Sequence, residues 1–412
     1  MKKKVLIVAP ILTNSGYGEH ARFIWRALKS REDLFEVYLR PINWGATPWK
    51  WEDSEERLEI DSDIGKTNQL VMQNKLLIDI NVMVTVANEY KAYHAPNCYN
   101  IGVNAGIEGD KVAPEWITGI NQHTDLVITT SEFSRDSIIN TVYDIKDDQG
   151  NEHKYKCFKP VEVCHYPVKE YTEQNLELDF NTDFNFLCVA QWGTRKNINN
   201  TIRWFLEEFG DKEDVGLVLK TQRVKNSTLD RQYVEKELHK IKKNYPKAKC
   251  KLYLIHGFLN EDEMHSLYVH PKIKAMINFG HGEGYGLPLF EAAYCGLPVI
   301  THDFGGQKDF LYAPKKKTNK IRPHFSKVSY KMAQVPHSAV SKGVIVPTMN
   351  WANPDMVACK AAMRELYKNP TFANNKAKDL QKWVLENFKK EDKYSAVIEL
   401  VSGKEEEDVI VL

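Results

Sequence analysis

A glycine-rich segment with two carboxylates, residues 280–293 (GHGEGYGLPLFEAA), carries the strongest chemical signal in the sequence. Its pattern predicts a strand that ends in a glycine turn, followed by a helix with Pro288 near its first position. Glycines let the backbone approach a ligand closely, and a helix N-terminus offers unpaired N–H groups to a diphosphate. Glu283 and Glu291 would then accept hydrogen bonds from sugar hydroxyls. The plainer alternative is a glycine turn with a carboxylate beside the helix dipole.

Two adjacent cations form a second candidate site in residues 189–197 (VAQWGTRKN), directly after a predicted strand. Breaking the bond between a sugar and a phosphate builds negative charge on the leaving diphosphate. A fixed cation stabilises that charge more in the transition state than in the ground state. Lys196 and Arg195 are therefore candidate catalytic residues. The alternative is a pair of solvated basic residues at the start of a helix.

Three weaker signals accompany these two sites. The motif NSGYG precedes a helical pattern near the start of the chain, and its Gly16 and Gly18 either shape a turn or bring backbone amides to a ligand. Lys220 and Arg223 follow a predicted strand at the carboxyl edge, where parallel sheets bind ligands, and they contact a base or phosphate or else are solvated. His281 either contacts the ligand or packs beside the glycine turn.

Predicted strands and helices alternate along two stretches of the chain. In the first stretch, apolar runs predict strands at 4–10, 35–39, 76–86, 99–104, 126–130 and 161–164. In the second, predicted strands at 186–190, 216–220, 251–256, 275–279 and 298–302 alternate with helices at 198–208, 229–244, 261–268 and 289–295. Strands separated by helices imply parallel sheets. The predicted fold class is α/β with two Rossmann-like, doubly wound domains.

The predicted domain boundaries follow from the same alternation. Residues 1–170 form the N-terminal domain, the polar and acidic stretch 171–185 is a linker, and residues 186–373 form the C-terminal domain. Residues 310–349 break the alternation and are predicted to be a basic excursion. Residues 374–412 comprise an amphipathic helix, long enough to return to the first domain, and an acidic tail.

Composition indicates an ordinary globular protein. Hydrophobic residues make up 42% and charged residues 27% of the 412 residues, and the net charge is +1. No stretch has the roughly 20 consecutive apolar residues that a membrane helix needs, and the start of the chain lacks a signal-peptide pattern. The seven cysteines are scattered and form no CxxC pair, which is typical of reduced thiols. We therefore expect a soluble, cytoplasmic protein with a mature N-terminus.

The spacing of Glu283 and Glu291, with GYGLP between them and a GLPVI strand after them, resembles the E-x7-E signature of retaining GT-B glycosyltransferases of the family 4 type. The likeness extends from the first strand (KVLIVAP) through DLVITTS and Gly305-Gly306 to the final helix. It implies two facing Rossmann-like domains with the active site in the cleft between them. The first domain would present the acceptor and the second would bind a nucleotide sugar.

The resemblance also assigns roles to residues. Glu291 would hold the ribose hydroxyls of the donor, Glu283 would contact the transferred sugar, and Lys196 would bind the phosphates. The amides of Gly284, Tyr285, Gly286 and Leu287 would line the sugar and the diphosphate, and Gly16 and Gly18 would face the cleft. No metal or other cofactor is expected, because the lysine and the helix amides replace a divalent cation. The anomeric configuration would be retained, without a securely identified protein nucleophile.

The sequence departs from the family pattern at two positions. The family has an arginine five residues before the phosphate-binding lysine, where this chain has Gln191, so either Arg195 replaces it or the leaving group is held less strongly. A histidine that follows the fourth strand in the family is absent, and Glu108 either stands there, contacting an acceptor hydroxyl, or caps a helix. Asp61-Ser62-Asp63 resembles the metal-binding Asp-x-Asp of the other glycosyltransferase architecture, but it follows no long apolar strand. We predict that it forms a surface turn.

The predicted partners are a uridine or guanosine diphosphate sugar and an acceptor that is a glycan, a lipid or a modified nucleic-acid base. Seven cations between Lys315 and Lys331 form either a solvated loop or a site for an anionic acceptor. Two other functions stay open, a GT-B relative that does not transfer, such as a sugar-nucleotide epimerase, and a catalytically silent nucleotide-sugar-binding protein. The sequence does not fix the oligomeric state.

Overall fold

The computed structural model describes residues 2–45, 47–147, 149–315 and 318–403, and these form two compact units. The first unit comprises the chain up to Ala105, then Val112–Pro167, and the described residues from Phe388 onward. The second comprises Gly106–Lys111 and Val168–Asn387, so the predicted linker, 171–185, belongs to the second unit. The acidic tail and two lysines of the basic excursion, Lys316 and Lys317, lie outside the described residues.

The first unit contains a six-stranded parallel sheet with the order β2-β1-β3-β4-β5-β8. Strands β6 and β7 form a separate antiparallel hairpin, which the sequence analysis did not predict. The elements are β1 (Lys3–Ala9), α1 (Gly16–Lys29), β2 (Phe35–Pro41), α2 (Glu55–Met72), β3 (Ile80–Val84), α3 (Tyr90–Tyr93), β4 (Tyr99–Asn104), α4 (Pro114–His123), β5 (Leu126–Thr129), α5 (Glu132–Ile139), β6 (Val142–Lys146), β7 (Glu152–Lys156) and β8 (Val161–Val163).

The second unit contains another six-stranded parallel sheet, with the order β11-β10-β9-β12-β13-β16. Its elements are β9 (Phe184–Val189), α6 (Ile198–Phe209), β10 (Val215–Lys220), α7 (Thr228–Lys242), β11 (Lys251–Ile255), α8 (Glu261–Tyr268), β12 (Ile273–Asn278), α9 (Leu287–Tyr294), β13 (Val299–Thr301), α10 (Lys308–Leu311), β14 (Tyr312–Pro314), β15 (Ile321–Pro323), β16 (Ser326–Lys327), β17 (Tyr330–Gln334), β18 (Asn350–Pro354), α11 (Met356–Lys368) and α12 (Pro370–Asn387). The chain then returns to the first unit as α13 (Lys390–Ser402), which packs against α1.

Buried apolar residues on the strands explain why both sheets form. Val5 and Ile7 on β1 are fully buried, as are Leu217 and Leu219 on β10. Continuous apolar strands of this kind are covered on both faces, as is usual for parallel sheets with crossover helices. In the second unit, α6 covers one face with a cluster that includes Phe205. The sheets therefore hold their carboxyl-end loops on rigid supports.

The basic excursion differs from the prediction, because part of it completes the second sheet. Strand β16 pairs in parallel with β13, with Ser326 opposite Ile300. Strands β14 and β15 form an antiparallel hairpin, and β17 pairs with β18. A two-residue strand without an apolar run gives no sequence pattern, so the sequence alone does not distinguish β16 from an insertion.

Two further predictions about secondary structure are wrong. Asp61-Ser62-Asp63 lies within α2 rather than in a surface turn, because Ser54 caps this helix and its pattern continues through the motif. Asp61 pairs with Arg57 at 3.0 Å, and the buried carboxylate of Asp63 accepts a hydrogen bond from the indole of Trp25 at 2.9 Å. The single helix predicted near the end of the chain is two helices, α12 and α13. None of the described helices is long and apolar enough to cross a membrane.

Candidate functional site

The candidate site lies at the carboxyl edge of the second sheet, where the strand order reverses. Strands β9 and β12 are neighbours in the sheet. From β9 the chain continues to β10 on one side, and from β12 it continues to β13 on the other side. Ligands of open α/β sheets bind at such topological switch points. The loop after β9 carries Arg195 and Lys196, and the loop after β12 carries Glu283.

Lys196 and Glu283 form a direct ion pair across these two loops. The Lys196 ammonium lies 2.7 Å from Oε1 and 2.6 Å from Oε2 of the carboxylate. The Arg195 guanidinium donates to the carbonyl of Gly282 at 2.8 Å and lies 3.5 Å from Glu283. The structure therefore brings together three of the residues that the sequence analysis selected.

Electrostatics keep the Glu283 carboxylate charged despite its burial. Burial alone would raise the pKa of this group, but Lys196 and Arg195 outweigh burial and hold the pKa at about 2. Burial and the neighbouring Arg195 lower the pKa of Lys196, and the Glu283 carboxylate opposes that shift. Glu283 is therefore ionised at neutral pH, and the Lys196 side chain is its nearest basic partner.

Glycines in the turn after β12 permit close packing that any side chain would prevent. Gly286 has a φ of 89°, in the left-handed region that favours glycine, and it directly precedes the first residue of α9. A Cβ atom on Gly284 would lie 2.6 Å from the backbone of Gly106, and one on Gly282 would lie 2.0 Å from the carbonyl oxygen of Glu108. The turn is thus shaped by contact with residues 106–111.

Residues 106–111 belong to the second unit, where they bring Glu108 to the site. The Glu108 carboxylate lies 3.1 Å from Nη2 of Arg195. Burial opposes ionisation of the guanidinium, but Glu108 and Glu283 together raise the pKa of Arg195. Asp110 fixes the same segment by accepting hydrogen bonds from the backbone and side-chain nitrogens of Asn350, at 2.8 and 2.7 Å.

The side chain of Gln191 has a structural contact at the position where the resembling family has an arginine. Its amide nitrogen donates to the carbonyl oxygen of Arg223 at 2.7 Å. The guanidinium of Arg223 lies over the ring of Tyr233, 4.2 Å from its centroid. Gln191 therefore ties the loop after β9 to the loop after β10, and Arg195 is the basic side chain that contacts Glu283 together with Lys196.

Glu291 lies on α9 and accepts a hydrogen bond from the hydroxyl of Tyr268 at 2.7 Å. Burial, with the nearby Glu291 carboxylate, raises the pKa of Tyr268 well above its ordinary value. The tyrosine hydroxyl therefore stays protonated and acts as a donor that orients the carboxylate. The sequence analysis missed Tyr268, which lies at the end of α8, outside any recognisable motif.

The side chains of two predicted donor-binding residues have packing roles. His281 donates from Nδ1 to the carbonyl oxygen of Ala352 at 2.8 Å, and its ring stacks on Trp351. Burial lowers the pKa of His281, so the ring is neutral near pH 7. Tyr285 is buried between the rings of Phe290 and Phe310. Backbone amides are therefore what residues 284–287, including Leu287 at the start of α9, offer to a ligand.

Asn278 and His302 position the glycine turn, and the sequence analysis missed both. Asn278, the last residue of β12, donates to Oε1 of Glu283 at 3.0 Å and accepts from the backbone nitrogen of Gly280 at 2.8 Å. His302, directly after β13, donates from Nε2 to the carbonyl oxygen of Gly280 at 2.6 Å. Polar residues at the carboxyl ends of buried strands are the signal that could have identified them.

Lys220 is held at the carboxyl end of β10 by a contact with the loop after β11. Its ammonium donates to the carbonyl oxygen of Gly257 at 2.5 Å. Burial lowers its pKa to about 8, with Glu263 opposing the shift. The structure therefore places Lys220 at the sheet edge that the sequence predicted, bound to the loop after β11.

Gly16 and Gly18 lie in the first unit, at the start of α1. A Cβ atom on Gly18 would lie 2.0 Å from the carbonyl oxygen of Thr13, so the loop itself requires a glycine there. A Cβ atom on Gly16 would have no atom within 4 Å. Packing therefore explains why Gly18 cannot carry a side chain, but it gives no reason for a glycine in the place of Gly16.

Two observations concern the predicted absence of a metal and the predicted basic excursion. Among the described residues, no group of three or more His, Cys, Asp and Glu side chains could hold a metal ion. Within the excursion, Lys327 forms an ion pair with Asp303 at 2.6 Å, while Lys315, Lys320 and Arg322 are exposed.

Part of the second unit matches a known protein family. Residues 177–318, about a third of the chain, match the family model "Glycosyl transferases group 1". This segment contains Lys196, Glu283 and Glu291. No curated protein matches the sequence significantly.

Solved structures with the same fold cover almost the whole chain. Sucrose-phosphate synthase from Thermosynechococcus elongatus is 13% identical with a TM-score of 0.63, and the match covers 97% of this chain and 98% of that chain. Anabaena HepE in complex with UDP-glucose is 14% identical with a TM-score of 0.58, covering 97% and 99%. The E. coli structure described as trehalose-6-phosphate bound with UDP-2-fluoro glucose is 12% identical with a TM-score of 0.57, covering 96% and 98%.

These findings confirm the predicted fold class and the predicted enzyme class. The chain is an α/β protein of two Rossmann-like domains with parallel sheets, as in GT-B structures. The match in the second unit identifies a glycosyl transferase domain. The candidate site, at the switch point of that domain's sheet, lies within the matched segment.

Proposed function

We propose that the protein transfers a glycosyl group from a nucleoside diphosphate sugar to an acceptor hydroxyl, with retention of anomeric configuration. One observation carries the proposal: the Lys196–Glu283 ion pair lies at the topological switch point, beside the N-terminus of α9. A helix N-terminus and a lysine together provide a site for a diphosphate. A carboxylate beside them can accept hydrogen bonds from a sugar.

The arrangement suits departure of a diphosphate. When the bond between the anomeric carbon and the phosphate oxygen breaks, the electron pair goes to that oxygen, and the diphosphate gains negative charge. Lys196 and the amides of Gly286 and Leu287 would stabilise this charge in the transition state. The acceptor oxygen would form the new bond on the same face of the sugar and give its proton to the departing phosphate oxygen.

Binding of the donor would redistribute the contacts of Lys196. Both carboxylate oxygens of Glu283 contact its ammonium in the present structure. An ammonium has three donors, so a phosphate oxygen can take one of them while Glu283 keeps another. Glu283 would then be free to accept a hydrogen bond from the transferred sugar. Glu291, oriented by Tyr268, would hold the ribose hydroxyls of the donor.

Arg195 and Glu108 complete the proposed site. Arg195 contacts Glu108, the Gly282 carbonyl and Glu283, so we assign it to organising the glycine turn as well as to adding positive charge near the phosphates. Glu108, with its side chain 35% exposed, is the candidate for contact with an acceptor hydroxyl. We also propose that neither domain requires a metal ion for the transfer.

The donor is proposed to be a uridine diphosphate sugar, with a guanosine diphosphate sugar as the alternative. Two structures of this fold contain UDP-glucose and UDP-2-fluoro glucose, respectively. A thermal-shift panel of both nucleotide classes tests the choice, because a ligand at 100 times its dissociation constant stabilises a protein by about 2.7 kcal/mol. Nuclear magnetic resonance of the product then reports the anomeric configuration. Inversion at the anomeric carbon would contradict the proposed mechanism.

The thermal-shift panel and the analysis of the product together separate the alternative functions. A sugar-nucleotide epimerase would convert the donor without an acceptor. A catalytically silent binding protein would be stabilised by the donor without turning it over, and the contact of Gln191 with Arg223, in place of an added cation near Lys196, is the feature that favours it.

A further inference from the structure

Three tryptophans lie in the loop after β2, at the carboxyl edge of the first sheet, and one of them packs against Tyr17 at the start of α1. We call Tyr17, Trp44, Trp49 and Trp51 the tryptophan platform. Trp49 is 51% exposed and Trp51 is 67% exposed. The rings of Trp44 and Tyr17 lie 4.2 Å apart. Exposed tryptophans held in one loop can form an interaction site, because burying such large rings against a ligand is strongly favourable.

Main-chain hydrogen bonds hold the platform loop on the loop after β1. The backbone nitrogen of Asn14 donates to Pro48 at 2.8 Å, and that of Lys50 donates to Leu12 at 2.8 Å. Trp49 forms an isolated antiparallel bridge with Thr13 between these two bonds. The exposed indole of Trp49 is therefore attached to a fixed backbone, and a ligand that binds it need not order this part of the loop.

Tyr17 connects the platform to the end of another strand. Its hydroxyl accepts a hydrogen bond of 2.7 Å from the side-chain amide of Asn104, the last residue of β4. The platform therefore extends from the loop after β2 across the end of β1 toward β4. This is the edge at which open parallel sheets bind ligands.

The charges around the platform favour an uncharged ligand. Residues 44–59 contain five carboxylates and two cations. Both cations are engaged, since Lys50 lies within 3.5 Å of Glu52 and Glu56, and Arg57 pairs with Asp61. Nucleic acids and anionic lipid surfaces bind where cations are in excess. Around the platform, Glu56 also pairs with Arg26, and Glu59 pairs with Lys29. Carboxylates still outnumber cations there, and the exposed Asp53 and Glu55 can accept hydrogen bonds from hydroxyl groups.

We propose that the tryptophan platform binds a neutral carbohydrate, and that the acceptor in the proposed transfer is a carbohydrate. The C–H groups on one face of a pyranose ring carry partial positive charge, which suits the negative face of an indole ring. The hydroxyls at the ring edge suit the neighbouring carboxylates. The assignment of an acceptor rests on the proposed function, whereas the binding of a carbohydrate does not.

The test is calorimetry with two neutral oligosaccharides, maltoheptaose and cellohexaose, and with the variants Trp49→Ala and Trp51→Ala. Wild-type protein should bind at least one oligosaccharide, with an affinity that does not change across a salt series. Each alanine variant should weaken that affinity roughly tenfold, and Trp49→Phe should restore most of it. The matched control is Phe158→Ala, which removes another exposed aromatic ring of the first unit and should change nothing.

Three outcomes would overturn the proposal. They are binding that survives both alanine substitutions, no binding of either oligosaccharide, and binding instead of duplex DNA or phosphatidylglycerol vesicles that depends on Trp49. The affinity for UDP-glucose, measured on the same samples, should equal that of wild-type protein in both alanine variants, in Trp49→Phe and in Phe158→Ala. If wild-type protein binds an oligosaccharide through Trp49 but no nucleotide sugar, the proposed function fails and the carbohydrate site stands.

Discussion

The Lys196 ammonium donates to both carboxylate oxygens of Glu283, and this pair joins the loops after β9 and β12. The Glu283 side chain is only 8% exposed, so its charge depends on its partner rather than on water. Removing one member of a buried ion pair is strongly destabilising, because it leaves the other charge uncompensated. Substitutions at this pair therefore affect stability and chemistry together, and experiments must separate the two effects.

Lys196→Ala should reduce kcat for transfer from UDP-glucose more than it weakens donor binding, because the lysine meets charge that grows in the transition state. The variant should also lose about 3 to 5 kcal/mol of unfolding free energy, since Glu283 stays buried without its partner. Steady-state kinetics and chemical denaturation check the two effects separately.

The double variant Lys196→Met with Glu283→Gln is the control for folding. It removes both charges, so it should regain most of the lost stability while turnover stays low. If Lys196→Ala changed only the donor dissociation constant and left kcat intact, the proposed catalytic role of the lysine would be wrong.

Glu291→Ala should weaken UDP-glucose binding by about 1.5 to 3 kcal/mol, the range for hydrogen bonds to a charged group. Calorimetry measures this loss. Tyr268→Phe is the matched control, because it removes the 2.7 Å hydrogen bond that orients Glu291 but keeps the carboxylate. Tyr268→Phe should weaken UDP-glucose binding less than Glu291→Ala does. Equal affinity in wild-type protein and Glu291→Ala would remove Glu291 from the donor site.

Much of the fold could be predicted from the sequence, because buried parallel strands leave continuous apolar runs. The predicted strand 99–104 and helix 261–268 agree with the structure at both ends. Short or polar elements could not be predicted in this way. Strand β16 has two residues, and the Asp61-Ser62-Asp63 motif continues a helix that its polar composition obscured.

The sequence selected candidate site residues but not the contacts between them. Glycine turns and charged residues after strands pointed to Lys196 and Glu283, and the structure adds that these two side chains form an ion pair. Glu108 and Arg195 are 87 positions apart in the chain, and no local pattern connects such residues. The tryptophan platform was missed because exposed aromatic residues in a loop produce no periodicity.

Transfer activity should persist in EDTA, because Lys196 and the amides at the start of α9 supply the positive charge that the leaving diphosphate requires. The measurement is turnover of UDP-glucose before and after chelation, followed by addition of manganese. A complete loss of activity in EDTA that manganese restores would show that the transfer requires a metal ion.

Acid should destabilise the protein through His20 before it affects the Lys196–Glu283 pair. His20 is fully buried, and burial lowers its pKa from 6.5 to about 3, with Glu19 opposing the shift. The unfolded chain therefore binds more protons between these values, so stability falls as pH drops through that window. The loss at pH 5 should be about 2 kcal/mol. Glu283, with its pKa lowered from 4.5 to about 2, adds a loss only below about pH 4.5.

His20→Leu isolates the first of these effects. Denaturant unfolding at several pH values between 4.5 and 7 should show a flatter profile in this variant than in wild-type protein. The control is His239→Leu, which changes an exposed histidine and should leave the wild-type slope. If His20→Leu kept the wild-type dependence of stability on pH, groups other than His20 would be responsible for the acid sensitivity.

Gly18→Ala and Gly16→Ala should differ, because only one of these glycines is required by packing. A Cβ atom at Gly18 would lie 2.0 Å from the Thr13 carbonyl oxygen, which also accepts a 2.9 Å hydrogen bond from Arg22. The backbone must shift, and a loss of about 1 to 3 kcal/mol is expected. At Gly16 a Cβ atom meets nothing within 4 Å, so stability should be unchanged or rise by about 0.4 to 1 kcal/mol.

The pair of variants also tests the predicted role of Gly16 at the donor site. Because Gly16→Ala should fold normally, a fall in its kcat/KM for UDP-glucose would report a ligand that approaches the backbone there. Chemical denaturation and steady-state kinetics on both variants provide the measurements. Unchanged kinetics in Gly16→Ala would remove this glycine from the site, and wild-type stability in Gly18→Ala would show that the Thr13 loop can move away from α1.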